Sequence, residues 1–171
     1  MSVIDVLLAE LDQEAQATER VLARVPQDHL SWRPHPKSMS LGQLALHVAT
    51  IPGNVAELAA LDSLNEPPAF VQAEAATAAD LVPTLKASVA KARKVLGGFD
   101  DEAMGATWRL MAGDKEIMAM PRAAVARMIM LNHWYHHRGQ LLVYLRMHNV
   151  PLPSVYGPTA DENPFAAAIS G

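Results

Sequence analysis

The chain has 171 residues, 50% of them hydrophobic, and a formal net charge of -4 from 14 Lys and Arg against 18 Asp and Glu. This length and hydrophobic content suit one core, so we expect residues 1–171 to form a single domain. The charges form no basic block, which argues against a nucleic-acid partner. Because cysteine is absent, disulfides, thiolate metal sites and cysteine nucleophiles are excluded.

The amino-terminal sequence and the hydropathy predict a soluble, cytoplasmic protein without a membrane partner. The first residues lack the basic region and apolar run of a secretory signal. No uninterrupted apolar stretch approaches the roughly 18 residues that a membrane span requires.

The first predicted helix begins at Ser2 and ends near Pro26. Ser2 and Asp5 have the spacing of a capping box, in which each side chain bonds the backbone N–H of the other residue. The stripe that follows has three- and four-residue spacing and contains Ile4, Leu7, Leu8, Leu11, Thr18, Val21, Leu22 and Val25. Residues 27–39 should then form a connecting loop, anchored by Trp32, because two prolines disfavour a helix there.

A second capping box, Ser40 with Gln43, begins the second predicted helix. Its apolar stripe contains Leu44, His47, Val48, Ile51, Val55 and Leu58. Pro52 has no N–H to donate to the carbonyl of Val48, so we expect a kink one turn beyond His47. Residues 65–70 contain two prolines and are predicted to be a loop.

Thr77 and Asp80 are predicted to begin the third helix, and Gly97 and Gly98 to end it with positive φ. The stripe of this helix contains Leu81, Leu85, Val89, Ala92, Val95 and Leu96.

The longest predicted helix begins at Pro121 and ends at about His148. Before it, residues 106–120 place apolar residues on both sides of Gly113-Asp114, which predicts a short β-hairpin or an irregular arm. The proline-rich tail should be an extended strap over the surface. Four helices joined by loops predict an all-α fold, a four-helix bundle.

Three histidines on two of these helices form a candidate metal site. His133 and His137 are four residues apart, so both imidazoles leave the same face of the last helix. Helical projection directs this face, and the face that carries His47, into the bundle. Imidazole is a common ligand for zinc, nickel, copper and iron. In the alternative interpretation, each is a core histidine bonded to a carbonyl or hydroxyl group.

Several neighbours of these histidines have expected positions. His136 is either a partner of the site or a surface residue, and we favour the surface. Gly139 allows a close helix contact, and Arg138 is expected to point away from the site and pair with an acidic residue at an interface. The side chains of Gln43, Asn54 and Tyr144 either bond a ligand or substrate or, as we favour, serve packing. The remaining histidines are expected to be exposed and without function: His29, His35 and His148.

The far side of the last helix is also apolar, with Leu131, Trp134, Tyr135, Leu142 and Leu145. A helix that is apolar on both sides is buried on both sides. Either a neighbouring helix of the same subunit or the matching helix of a second subunit covers this face, and we favour a homodimer.

Five segments together resemble the DinB family of the DinB/YfiT superfamily. They are Ser40–His47, Asn132-His133, His136–Leu141, Tyr144–Arg146 and the tail Val150–Gly157. The resemblance implies a four-helix bundle, commonly dimeric, with a three-histidine site for a divalent metal such as zinc or nickel. The ligands that it implies are His47, His133 and His137, and some relatives are similar to transferases or isomerases that use low-molecular-weight thiols.

Three neutral imidazoles leave coordination positions open for water or substrate. Trp134 replaces the glutamate of the His-Glu-x-x-His motif, which argues against that peptidase mechanism. The leading hypothesis is therefore a metal-dependent S-transferase or hydrolase acting on small molecules, with zinc or nickel preferred over iron or manganese. The alternative is a non-catalytic homodimeric helical bundle with a stress-related binding or structural role.

Overall fold

The structure, a computed structural model, describes residues 2–65 and 72–166. Its main helices are α1 (Val3–Leu22), α2 (Leu41–Ala60) and α3 (Leu81–Leu96), followed by the short α4 (Asp101–Gly105). The C-terminal helix consists of α5 (Arg122–Ala124), a π-helical segment (Val125–Asn132) and α6 (His133–Met147). The strands are β1 (Ser63–Asn65), β2 (Thr107–Ala112) and β3 (Lys115–Pro121).

The predicted all-α bundle is confirmed, with a small sheet at one end. Helix α2 packs on α3 and on the C-terminal helix, and α1 contacts all three. One continuous hydrophobic core lies between these four helices. Within the part of the chain that the structure describes, no helix combines the length and the apolar character needed to cross a membrane.

Both predicted capping boxes are present. The Ser2 hydroxyl accepts from the N–H of Asp5 at 3.2 Å, and the Asp5 carboxylate accepts from the N–H of Ser2 at 2.9 Å. In α2, the Ser40 hydroxyl accepts from the N–H of Gln43 at 3.1 Å, and Gln43 Oε1 accepts from the N–H of Ser40 at 2.8 Å. Each box satisfies backbone donors that a helix start leaves free, so these local residues determine where the helices begin.

Helix α2 continues through Pro52, and its contact with α3 requires a glycine at the next position. The N–H of Gly53 donates to the Ser88 hydroxyl at 2.8 Å. A Cβ atom on Gly53 would lie 2.9 Å from the Ser88 carbonyl oxygen. The two helices therefore approach more closely here than any larger residue would permit.

The start of α3 refines the prediction made for it, and the end of α3 differs from the prediction. A 3₁₀ turn, Ala78–Asp80, precedes α3, with the Thr77 hydroxyl donating to the Asp80 carboxylate at 2.7 Å. The prediction of positive φ after α3 is wrong, since Gly97 has φ -66 and Gly98 is not among the described residues with positive φ. The last turn tightens instead, with the N–H of Gly98 donating to Val95 O, three residues earlier, at 3.2 Å.

The predicted hairpin is confirmed, and the structure adds a third strand. Strands β2 and β3 pair antiparallel around Gly113, whose φ is 60°. Strand β1 pairs parallel to β2, giving the order β1-β2-β3. Trp108 of β2 is buried and donates its indole N–H to Leu58 O at 3.0 Å, which attaches the sheet to the end of α2. Of the predicted loop over residues 65–70, Asn65 is described and ends β1, and the rest lies outside the described residues.

The C-terminal helix differs from the prediction at its start. Pro121 is the last residue of β3, and the helix begins at Arg122. The π-segment then runs up to the residue before His133. A π-helix has more residues in each turn than an α-helix, so the projection with 3.6 residues per turn does not apply before His133. The helix ends as expected near His148, with Asn149 at φ 55° and the N–H of Val150 donating to Leu145 O.

The second apolar face of the C-terminal helix is covered within the chain. Leu131, Trp134 and Leu145 have no exposed surface. Tyr135 and Leu142 are partly buried against the same core. Within the described residues, the neighbouring helices of the same subunit therefore cover most of this face.

Arg138 lies in a buried network that joins α1, α6 and the tail. Its guanidinium is 2% exposed and contacts the Glu14 carboxylate at 2.6 Å and the Thr18 hydroxyl at 3.0 Å. It also stacks over the rings of Tyr135 and Tyr156, at 5.4 and 5.1 Å from their centroids. The acidic partner expected for Arg138 is present, but the interface is between elements of one chain. The tail is irregular over residues 151–163, with bends at 155–157 and 160–161.

Candidate metal centre

The fold brings together the three histidines that the sequence singled out. His47 is in the first half of α2, while His133 and His137 occupy the first two turns of α6. One ring nitrogen from each lies within 4.8 Å of the other two. The Nε2 atoms of His47 and His133 are 3.1 Å apart. This group could hold a metal ion.

These separations suit nitrogen ligands of a single ion. Zinc–imidazole bonds of about 2.0–2.1 Å in a tetrahedral arrangement place neighbouring nitrogens about 3.3 Å apart. The 3.1 Å between His47 Nε2 and His133 Nε2 is close to that separation. The group contains imidazole nitrogens alone, with no carboxylate oxygen. Such a donor set favours zinc, nickel, copper or iron over calcium or magnesium.

Burial keeps the three imidazoles neutral. Burial, together with the charges that His137 and His133 would carry, lowers the pKa of His47 to about 4. Burial also lowers the pKa of His133 and of His137 below the usual histidine value. A neutral imidazole has a free lone pair, whereas a protonated one has none to donate to a metal. At neutral pH, protons would therefore compete little with a metal ion for these three imidazoles.

A hydrogen bond joins α2 and α6 beside His47 and His133. Trp134 donates its indole N–H to Val48 O at 2.9 Å. In a regular helix, the N–H of the residue four positions later would donate to Val48 O. That residue is Pro52, which has no N–H. Since Val48 follows His47 and Trp134 follows His133, the bond links the residues adjacent to two ligands.

His137 has a hydrogen-bond partner on its own helix. Its Nδ1 atom lies 2.7 Å from Gln140 Oε1, three residues later. The Gln140 side chain is otherwise exposed. Gln140 is not among the residues predicted for the site, although its spacing of three residues from His137 on a helix was a usable signal.

The site opens towards solvent on one side. All three histidines are half-buried, which corrects the expectation that they point fully into the bundle. Asn132, His136 and Gln140, which are adjacent to them along the helix, are exposed. Part of each of the three side chains is therefore exposed to solvent. A cleft of about 700 Å³ lies elsewhere, between α1 and the tail, and none of the three histidines lines it.

Two of the three polar neighbours of the histidines, Gln43 and Tyr144, serve packing. Gln43 belongs to the capping box of α2 and donates to Gln72 O at 3.1 Å. Tyr144 donates to Met39 O at 3.3 Å and packs edge-on against the ring of Trp32. Asn54 is exposed. The packing interpretation that we favoured therefore holds for Gln43 and Tyr144.

His136 and Gly139 lie on the surface. His136 is exposed, as we favoured, with its ring centroid 5.0 Å from that of His137. A Cβ atom on Gly139 would meet no atom within 4 Å. The close helix contact expected at Gly139 is therefore absent from the described part of this chain.

The remaining histidines divide into two groups. His29 and His35 are exposed, as expected. The expectation is wrong for His148, which is half-buried between the rings of His29 and Trp32, with centroid distances of 4.1 and 4.3 Å. Long-range packing of the first loop on the end of α6 causes this burial, and the local sequence contains no signal for it.

Histidines from two helices of the bundle meet at one half-buried point. The fold and the site together define the class of the protein, an all-α protein with a candidate three-histidine metal centre. The sequence model that describes the DinB family matches residues 1–164 of this chain. The chain belongs to the DinB family.

Relatives of this chain extend over most of its length. The uncharacterized protein YrdA of Bacillus subtilis strain 168 is 24% identical over 163 residues, which cover 93% of this chain and 91% of the relative. A crystal structure of the DinB-like protein YjoA from Bacillus subtilis aligns with a TM-score of 0.65 at 20% identity, covering 87% of this chain and 96% of that one. A DinB-like protein from Bacillus cereus ATCC 10987 aligns with a TM-score of 0.67 at 21% identity, covering 88% and 95%. These similarities show a shared fold.

Proposed function

We propose that the chain binds a divalent metal ion through His47, His133 and His137 and acts as a metal-dependent enzyme on small molecules. The observation that carries the proposal is the convergence of three nitrogens within 4.8 Å on a partly open face. Zinc or nickel is the preferred ion, with iron or manganese next, because imidazole ligands suit these ions. A resident ion of this kind lowers the pKa of a bound water or thiol and so supplies a nucleophile near neutral pH.

Two reaction classes fit this arrangement, S-transfer and hydrolysis. The chain has no cysteine, so a thiol nucleophile must come from a low-molecular-weight substrate. The open side of the site admits such a molecule, while the buried side holds the three imidazoles neutral. Trp134 is fully buried and bonded to Val48 O, so it performs none of the proton transfers that a glutamate performs in His-Glu-x-x-His peptidases.

A non-catalytic metal-binding bundle is the second candidate. One observation favours it: among the residues that the structure describes, no carboxylate joins the histidine group. A hydrolase commonly uses such a group as a general base. In this alternative, the ion stabilises the bundle or a homodimer of it, without turnover.

The first test is the metal content of protein purified without an affinity tag. We expect about one ion per chain in the unmodified protein and almost none in His47→Ala, since two imidazoles bind far more weakly than three. His35→Ala is the matched control, because His35 is an exposed loop histidine outside the group. A content near zero that His47→Ala does not change would overturn the proposal.

The second test separates the two candidates. Loaded protein and metal-depleted protein are compared in turnover assays with small thiols and electrophilic acceptors, and with activated esters and amides. Turnover above the metal-depleted protein supports the enzyme. A loaded protein with no such turnover, whose melting temperature falls on metal removal, supports the non-catalytic bundle.

A further inference from the structure

We propose that Gln140 is a positioning residue, whose side-chain oxygen accepts a hydrogen bond from Nδ1–H of His137 and so turns the Nε2 lone pair of His137 towards His47 and His133. This inference rests on the proposed metal site and adds a residue to it. The supporting distance is 2.7 Å between His137 Nδ1 and Gln140 Oε1.

A neutral imidazole has one N–H and one lone pair, and either ring nitrogen can carry the proton. Only the form with the proton on Nδ1 has its lone pair on Nε2, ready for a metal. An acceptor fixed beside Nδ1 selects that form and restricts rotation of the ring. Gln140 is in that position, because residues three apart on a helix are neighbours on its surface.

His137 differs in this respect from the other two ligands. In the described parts of the chain, the imidazoles of His47 and His133 make one hydrogen bond, the one between their Nε2 atoms. No acceptor holds Nδ1 of either residue there. His137 is therefore the one of the three that is oriented before an ion arrives.

The Gln140 side chain has no evident structural role that would explain the contact. It is exposed, and the bond to His137 is the one hydrogen bond that its side chain makes among the described residues. Replacing it should therefore leave the stability of the metal-free bundle almost unchanged. The same replacement should weaken metal binding, because removal of such a partner typically costs about 10–100-fold in affinity.

The experiment compares the unmodified chain with Gln140→Met, which keeps the length of the side chain but removes the acceptor, and Gln140→Glu, which keeps an acceptor. Gln16→Met, another exposed helical glutamine, is the matched control. Nitrogen-15 NMR of the metal-free proteins reports which nitrogen of His137 carries the proton. Competition with a chelator measures the affinity for zinc.

We expect the proton on Nδ1 of His137 in the unmodified chain, in Gln140→Glu and in Gln16→Met. Gln140→Met should show a mixture of the two forms and bind zinc about 10–100-fold more weakly, with an unchanged melting temperature without metal. Unchanged proton position and affinity in Gln140→Met would overturn the inference. If the unmodified chain binds no zinc, the proposed function fails, and the NMR of the metal-free protein still decides whether Gln140 orients His137.

Discussion

Trp134 donates its indole N–H to the carbonyl oxygen of Val48, which Pro52 leaves without its usual helical partner. A proline inside a helix normally leaves a carbonyl to be satisfied by water or a side chain. Here the side chain comes from the helix that carries His133 and His137. The proline of α2 thus provides the acceptor that aligns α2 with α6 next to the candidate metal centre.

Replacement of Trp134 by phenylalanine should lower both stability and metal affinity. A smaller aromatic ring replaces the buried indole and leaves part of its space empty. The buried Val48 carbonyl also loses its donor, and that loss alone costs about 1–3 kcal/mol. Urea unfolding of the metal-free protein measures the first effect, and chelator competition the second. Trp108→Phe is the matched control, because it also removes an indole bond to a backbone carbonyl, that of Leu58, in the sheet. Trp108→Phe should lose stability and keep its zinc affinity, and equal affinity losses in the two variants would contradict this role of Trp134.

The metal-free protein should lose stability as the pH falls below about 6.5. The pKa of His47 is lowered from 6.5 to about 4 in the folded chain, and those of His133 and His137 are lowered as well. Between these values the unfolded chain binds more protons than the folded chain, so acid favours unfolding. Above about pH 6.5, the three histidines are neutral in both the folded and the unfolded chain, so they no longer make the stability depend on pH.

Unfolding free energies measured from pH 8 to pH 4 check this dependence. His47→Gln should flatten the slope between pH 6.5 and 4, since it removes the histidine that burial penalises most clearly. His35→Gln should leave the slope unchanged, because His35 is exposed. A stability that rises on acidification across this range would show that the histidines are not buried as described.

Removal of the Arg138 side chain should destabilise the chain strongly. Arg138→Met leaves the Glu14 carboxylate, only 6% exposed, without its cationic partner. Breaking a buried pair in this way costs about 3–5 kcal/mol. The double variant Arg138→Met with Glu14→Leu should recover most of the loss, because replacing both members with apolar groups is often neutral. Urea unfolding measures all three proteins, and a double variant no better than Arg138→Met would show that the hydrogen bonds to Thr18 and Tyr156 matter more.

A homodimer remains a prediction, now on a different surface. Val143 and Met147 on α6 are 60% and 55% exposed, beside Gly139, where a Cβ atom would meet nothing. Light scattering on the purified chain should give twice the monomer mass. Val143→Glu should give the monomer, because a charge opposes burial of that face. Ile117→Glu, at an exposed position of the hairpin, is the control and should remain dimeric. A monomeric unmodified chain would remove the dimer from consideration.

Local interactions explain why parts of the fold could be read from the sequence. The boxes Ser2/Asp5 and Ser40/Gln43 join residues three apart, so their geometry depends on nothing distant. Gly113 marks the hairpin turn for the same reason, because a glycine, which has no Cβ, adopts the positive φ of this turn at little cost. The spacing of His133 and His137 and the DinB resemblance were enough to choose His47 as the third member of the group.

The sequence by itself determined the starts of α1 and α2, the hairpin and the group of three histidines, since these follow from neighbouring residues, periodicity and a family pattern. Only the tertiary structure decided the π-segment before His133, the burial of Arg138 against Glu14, the bond from Trp134 to Val48 and the half-open position of the site. The physical reason is distance along the chain. Each of these features depends on how helices far apart in sequence satisfy each other's buried polar groups, and such pairing exists only after the helices have packed.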